Sequence, residues 1–196
     1  MISIEGNIGA GKSTLVNILQ KAGMDAEEEP VADWKVGKID LLKQYYDDPK
    51  KYAFLFQSFI LHSRKQHEAD IIERSLFSDK IFAEAQFRLG NLDVVEFETY
   101  KNLHGRFPQE CAGRIYIETS TETCLQRIRT RGRDGESMIK KDYLSLLQSL
   151  HEEALSKEKN VLVIDGEQDF SLESVQKNLI EKIEAFQQFI KTTIRK

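Results

Sequence analysis

Gly6-Asn7-Ile8-Gly9-Ala10-Gly11-Lys12-Ser13-Thr14 follows directly on the apolar run Ile2-Ser3-Ile4-Glu5 and leads into a helical pattern. The stretch fits GxxxxGK[ST] between a strand and a helix, the context in which such a loop closes around phosphate. Its glycines let backbone N–H groups point inward, and the start of the next helix adds partial positive charge. On that reading residues 6–14 cradle the phosphates of a nucleoside triphosphate. Lys12 reaches the β- and γ-phosphates, and the Ser13 hydroxyl can ligate Mg²⁺. A glycine turn that only caps a helix is the competing reading, and the strand ahead of the loop argues against it.

Outward from the loop, short apolar runs alternate with longer helical patterns. Strands are expected at residues 1–5, 70–73, 114–118 and 160–165, with a fifth, poorly apolar one somewhere in 23–29. Helices are expected at 12–22, 39–46, 52–67, 77–89, 92–103, 121–130, 140–155 and 172–194. This alternation predicts an α/β fold, a five-stranded parallel sheet flanked by helices, with ligands at the carboxyl ends of the strands. No repeat, low-complexity tract or Pro/Gly/Ser linker interrupts it, so residues 1–196 are expected to form a single domain.

The 196 residues, 40% hydrophobic, suffice for one buried core. A formal charge of −4 and an isoelectric point near 5.7 argue against nucleic acid as a partner and make any anion site local. Cys111 and Cys124 form no CxxC and are expected to be reduced. The chain opens on a strand rather than a basic leader, and no apolar run approaches the roughly 20 residues that span a bilayer. A cytoplasmic protein without membrane contact is therefore expected. His62, His67, His104 and His151 show no metal-ligand grouping and read as surface or structural residues.

Three further groups suggest chemistry. Glu29, held extended by Pro30, ends the doubtful second strand, where a carboxylate beside the phosphate loop could take a proton from an attacking hydroxyl; a solvated acidic turn is the alternative. Glu73 and Arg74 project from the end of the third strand, a carboxylate for Mg²⁺ and a guanidinium for phosphate, although Ser75 there could be a simple N-cap. Arg127, Arg129, Arg131 and Arg133 form the dense basic cluster. Helical geometry puts Arg127 and Arg131 on one face and Arg129 opposite, while Gly132 ends the helix and frees Arg133. A lid over residues 127–137 that neutralises phosphoryl charge is one reading, and a solvated basic face is the other.

In this order the pieces resemble the deoxynucleoside kinase family, which includes deoxycytidine, deoxyguanosine and insect multisubstrate kinases. The resemblance runs through Ile4-Glu5-Gly6-Asn7-Ile8, Glu29-Pro30-Val31, Asp48-Pro49 with Phe56-Gln57, Glu73-Arg74-Ser75, Arg131-Gly132-Arg133 and Asp169-Phe170. It implies the P-loop kinase fold and ATP-dependent phosphorylation of a deoxyribonucleoside at its 5′-hydroxyl. Glu29 is then the base, Arg74 holds the hydroxyl and phosphates, and Ser13 with Glu73 holds Mg²⁺. Arg127, Arg131 and Arg133 serve the lid, Tyr46 and Glu136 the sugar 3′-hydroxyl, and Gln57 the base, with Asp169 and Phe170 beside the adenine of ATP. A homodimer built on helices is also implied.

The residue types suit these roles. Gln57 can hydrogen-bond a base edge at two points, Tyr46 can meet a sugar hydroxyl, and Trp34 and Phe56 offer apolar surface, although Tyr52, Phe56, Phe59 and Ile60 could equally be a core stripe. Arg64 and Asp79 resemble the pair found in deoxycytidine and deoxypurine kinases, which disfavours thymidine. Departures from the family pattern are Ile60, Tyr45, Gly135 in the lid, and Phe82, one residue early, which leaves Ala83 at the usual Phe position. Two rivals are a thymidylate kinase-like nucleoside monophosphate kinase, which would need a cationic site for the acceptor phosphate, and a non-kinase P-loop ATPase. Neither a guanine-reading NKxD nor a Walker B strand is evident for the latter.

Overall fold

The central strand, β1 (Ile2–Gly6), is buried at all five positions, including the polar Ser3 and Glu5, because it is covered on both faces. The computed structural model describes residues 1–64, 69–108 and 111–194. Beside β1 lie β5 (Ile71–Glu73) and β6 (Gly113–Glu118), and beyond them β2 (Ala26–Glu27) and β7 (Val161–Asp165). The order is β2-β5-β1-β6-β7, every pairing parallel, with Ile4 opposite Glu73 on one side and Ile115 on the other. Because the chain's neighbours to β1 lie on opposite sides, a crevice opens at its carboxyl end, where residues 6–14 sit.

Helices α1 (Lys12–Lys21), α2 (Leu41–Asp47), α3 (Pro49–Ser63), α4 (Leu76–Arg88), α5 (Val94–His104), α6 (Thr121–Arg131), α7 (Lys141–Leu155) and α8 (Glu173–Ile194) flank the sheet, close to the expected spans. The weak second strand exists but is only two residues long. At the sheet edge it needs one buried side chain, Ala26, and Gln20 Nε2 donates to the Ala26 carbonyl at 2.8 Å.

Two boundaries need correction. Ile39 does not start a helix: it pairs with Val36 in a hairpin of β3 (Lys35–Val36) and β4 (Ile39–Asp40), turned by Gly37 at φ 62°. Asp40 then caps α2 by accepting from the Lys43 N–H at 2.9 Å. Helix α3 begins three residues before the expected Tyr52, because Pro49 presets the first turn and Asp48 accepts from the Lys51 N–H at 3.2 Å. It ends at Ser63, and His67 lies outside the described residues.

Two apolar clusters result. One surrounds the sheet, with Ile4, Leu15, Ile115 and Leu147; the other, with Trp34, Tyr45, Phe56 and Tyr100, lies among α2, α3 and α5. Among the described residues no helix is long and apolar enough to cross a membrane. Cys111 and Cys124 are unpaired.

The turn after β7 is a sensitive point. Gly166 donates to the Glu118 carbonyl at 2.7 Å. A Cβ added there would stand 1.9 Å from Thr119 Oγ1 and 2.9 Å from the Glu118 carbonyl oxygen. Gly166→Ala is expected to cost about 2 kcal/mol in urea unfolding through overpacking. A midpoint equal to the parent's would contradict this packing.

Candidate active site

A cavity of about 690 Å³ occupies the crevice. Its walls bring together the phosphate loop from one side and Glu29, Trp34, Tyr46, Phe56, Gln57, Asp79 and Glu136 from the other. Gly9 (φ 79°) and Gly11 (φ 108°) bend the loop in the region that glycine adopts freely, and a Cβ on Gly9 would lie 2.6 Å from the Cys124 carbonyl oxygen. Asn7 props the loop from behind: Nδ2 donates to the Leu144 carbonyl at 2.8 Å and Oδ1 accepts from the Ile8 N–H at 2.9 Å. Gly6 and Ala10 also serve the loop's shape, and only Ile8, Gly9, Gly11, Lys12, Ser13 and Thr14 of it face the cavity.

Lys12 is buried, its Nζ donating to the Asn7 carbonyl at 2.8 Å and the Gly6 carbonyl at 3.3 Å. Burial, and then the charge of Arg74, push its pKa down to about 8. An ammonium so poorly solvated gains much from an arriving phosphate. Ser13 Oγ donates to Glu73 Oε1 at 3.1 Å, so the hydroxyl and carboxylate expected to act together are adjacent.

Across the cavity Glu29 Oε2 lies 3.3 Å from Arg74 Nε. Burial raises the Glu29 pKa, and the Arg74 charge opposes that rise. Arg74 has φ 60°, so its side chain leaves the strand end at an angle that local propensity disfavours. The Phe82 ring packs beneath its guanidinium at 4.6 Å. Phe82 therefore lines the cavity itself, whereas Ala83 turns into the second apolar cluster.

The far end suits a flat ring. Trp34 and Phe56 meet edge to face at 5.4 Å, and Tyr45 stacks on Phe56 at 4.7 Å. Gln57 is 1% exposed, and its Nε2 has no hydrogen-bond partner among the described residues. Arg64 and Asp79 form a two-point pair, Nε to Oδ2 at 2.8 Å and Nη2 to Oδ1 at 2.6 Å. Arg64 is thereby tied behind Asp79, and Asp79 is the member that faces the cavity.

Of the basic cluster, Arg127 reaches over the loop to the Ala10 carbonyl at 3.2 Å and the Gly166 carbonyl at 2.8 Å. Arg131 forks onto the buried Glu136, Nε to Oε2 at 3.1 Å and Nη2 to Oε1 at 2.8 Å, and Arg133 reaches it at 3.3 Å. Arg129 is exposed and outside the cavity, as helical geometry predicted. Phe170 packs against the loop, 3.5 Å from where a Gly11 Cβ would stand. Asp169 does not line the cavity: its carboxylate accepts from Ser171 N–H and Oγ at 2.9 and 2.7 Å. His104 and His151 are buried with ring nitrogens against the Leu76 and Leu147 carbonyls, and burial lowers the His151 pKa to about 3.

Sequence reasoning did not find Leu42 or Ala32 as wall residues, nor the burial of Glu5 behind Ser75 and Ser78. An acid inside a mostly apolar first strand, within the run Ile4-Glu5-Gly6-Asn7-Ile8, was the available signal for Glu5.

Comparison with known proteins agrees with this geometry. A family model described as deoxynucleoside kinase matches residues 2–190. A fowlpox virus (strain NVSL) protein named as a probable deoxycytidine kinase is 40% identical over 190 residues, spanning 86% of this chain and 80% of its own length. Deoxycytidine kinase of Homo sapiens is 33% identical over 235 residues, 94% of this chain and 90% of its own. A solved structure of deoxyadenosine kinase from M. mycoides, with products dCMP and a flexible dCDP bound, superposes with a TM-score of 0.80 at 31% identity, covering 94% of this chain and 98% of that one.

Proposed function

The chain belongs to the deoxynucleoside kinase family, and from that premise we propose that it transfers the γ-phosphate of ATP to the 5′-hydroxyl of deoxycytidine or a deoxypurine nucleoside in preference to thymidine. One observation carries the reading: a single cavity joins the phosphate loop to a buried glutamine whose amide donor is unsatisfied. An unpaired buried donor costs free energy that a base edge would recover.

In this reading Glu29 accepts the proton of the 5′-hydroxyl, and its raised pKa makes it a stronger base than an exposed carboxylate. Lys12, Arg74, Arg127, Arg131 and Arg133 offset charge on the transferring phosphoryl oxygens, the main requirement of this chemistry. For Arg131 and Arg133 this means exchanging some of their contact with Glu136 for phosphate, which leaves that carboxylate, with Tyr46, to meet the sugar 3′-hydroxyl. Trp34 and Phe56 flank the base, Gln57 reads its edge, and Asp79, held by Arg64, limits room for a thymine methyl group. Phe170 supplies apolar surface for adenine, with Asp169 shaping its turn.

The adjacent Ser13 hydroxyl and Glu73 carboxylate are hard oxygen donors of the kind that Mg²⁺ takes alongside phosphate and water. When bound, the ion would neutralise phosphate charge. We also read residues 1–196 as one cytoplasmic kinase domain that dimerises through helices, for which exposed Leu55, Val94 and Val95 offer apolar surface. A monophosphate acceptor fits less well, because the guanidinium of Arg64 is already committed to Asp79.

Four deoxynucleosides and their monophosphates, each offered with labelled ATP, test this. Transfer to deoxycytidine or a deoxypurine nucleoside is expected; transfer to monophosphates alone would overturn it. Arg64→Met with Asp79→Ala is expected to raise thymidine's kcat/KM relative to the preferred base by about tenfold or more. A double variant still confined to its original base would count against the pair as selector.

A further inference from the structure

We propose that Glu5 is a positioning residue for phosphoryl transfer, fixing the hydrogen-bond polarity of Ser78 so that Ser78 seats the guanidinium of Arg74. This rests on the kinase reading above and adds a residue that touches no substrate, since Glu5 is fully buried and does not line the cavity.

Glu5, near the end of β1, receives the hydroxyls of two residues from the start of α4: Ser75 Oγ at 2.7 Å, and Ser78 Oγ. A carboxylate can only accept, and each serine has one hydroxyl proton to give. Both protons are therefore committed to Glu5, and both serine oxygens are left as acceptors for other groups. Ser75 Oγ accepts the Phe77 N–H at 3.2 Å and caps α4. Ser78 Oγ accepts from Arg74 Nη1 at 3.3 Å.

Arg74 needs such a hold. At φ 60° its backbone lies in a region that non-glycine residues rarely adopt, and it persists there only where its surroundings over-determine it. Its N–H donates to the Ile4 carbonyl at 2.9 Å, Phe82 lies under the guanidinium, Glu29 stands at 3.3 Å from Nε and Ser78 Oγ at 3.3 Å from Nη1. Ser78 is fully buried, so no water replaces it. With a glutamine at position 5 the shape is kept but an amide donor faces the serines. One of them must then accept from position 5 and turn its own proton elsewhere, towards Arg74 in the case of Ser78. A donor meeting a donor displaces the guanidinium, and such small displacements matter in a group that must meet charge developing in the transition state.

The test compares Glu5→Gln, Ser78→Ala, their double variant and Ser75→Ala, each with kcat, both KM values and a melting curve, assayed well below every midpoint. Glu5→Gln and Ser78→Ala are each expected to lower kcat about tenfold with KM values within about threefold, and the double variant to be no slower than the slower single, because the two act through one contact. Ser75→Ala is expected to lower the melting temperature and leave kcat within about threefold. Parental kcat in Ser78→Ala, or losses that multiply in the double variant, would overturn the proposal, even if Glu5→Gln fails to fold. So would a Glu5→Gln enzyme that melts early yet turns over at the parental rate. If the parent phosphorylates no nucleoside, the kinase reading fails instead, a result distinct from any of these.

Discussion

Glu29→Gln is expected to lower kcat by about 10²-fold or more while leaving ATP affinity within a few-fold of the parent's. General-base assistance supplies on the order of 10²–10⁴ in rate, and glutamine keeps the shape and an acceptor for Arg74 while losing proton affinity. The pH dependence gives an independent check. Burial raises the Glu29 pKa, so the carboxylate is lost at a higher pH than an exposed glutamate would be. For the parent, kcat/KM should fall as pH falls through that raised value, because protonation removes the base. The glutamine variant has nothing to protonate there, and its residual activity should be flat across the same acidic window. Steady-state kinetics and titration of a fluorescent ATP analogue measure both; near-parental turnover would remove Glu29 from its role.

Arg74→Met is expected to have the other large effect, about 10³-fold in kcat together with roughly 3 kcal/mol of stability. The rate loss follows from removing a guanidinium that offsets phosphoryl charge. The stability loss follows because Glu29 is left buried without its ion partner. Its sign with pH is fixed. Arg74 lowers the Glu29 pKa, so removing it raises that pKa further above the unfolded value. The raised acid is favoured in its protonated form by folding, so the variant should come closest to parental stability at acidic pH and lose ground as pH rises through the Glu29 pKa. Arg74→Lys separates the two effects: the charge stays and most stability with it, but the planar fork is gone and kcat should remain well below the parent's. Urea unfolding at several pH values and kcat for both variants decide the matter; equal damage from Lys and Met would contradict the partition.

The sequence by itself determined the glycine-rich loop between β1 and α1, the α/β alternation and most helix spans, because these depend on local spacing, glycine freedom and apolar periodicity within a few residues. It also indicated Glu29, Glu73 and Arg74 as strand-end groups, positions that a parallel sheet turns towards its ligand crevice. Asp40 and Asp48 carried legible capping signals, and the expected starts of α2 and α3 missed them. Only the tertiary structure decided which way side chains point where neighbours are distant in the chain. Phe82 and Ala83 are about 100° apart on one helix, and what packs against α4 chose which of them meets Arg74. The left-handed turn at Arg74 arises likewise from packing between elements. Glu5 is the clearest case: its serine partners lie 70 and 73 residues away, and no local pattern could say that a lone acid in an apolar strand would be paid for by two hydroxyls brought there when the sheet closed.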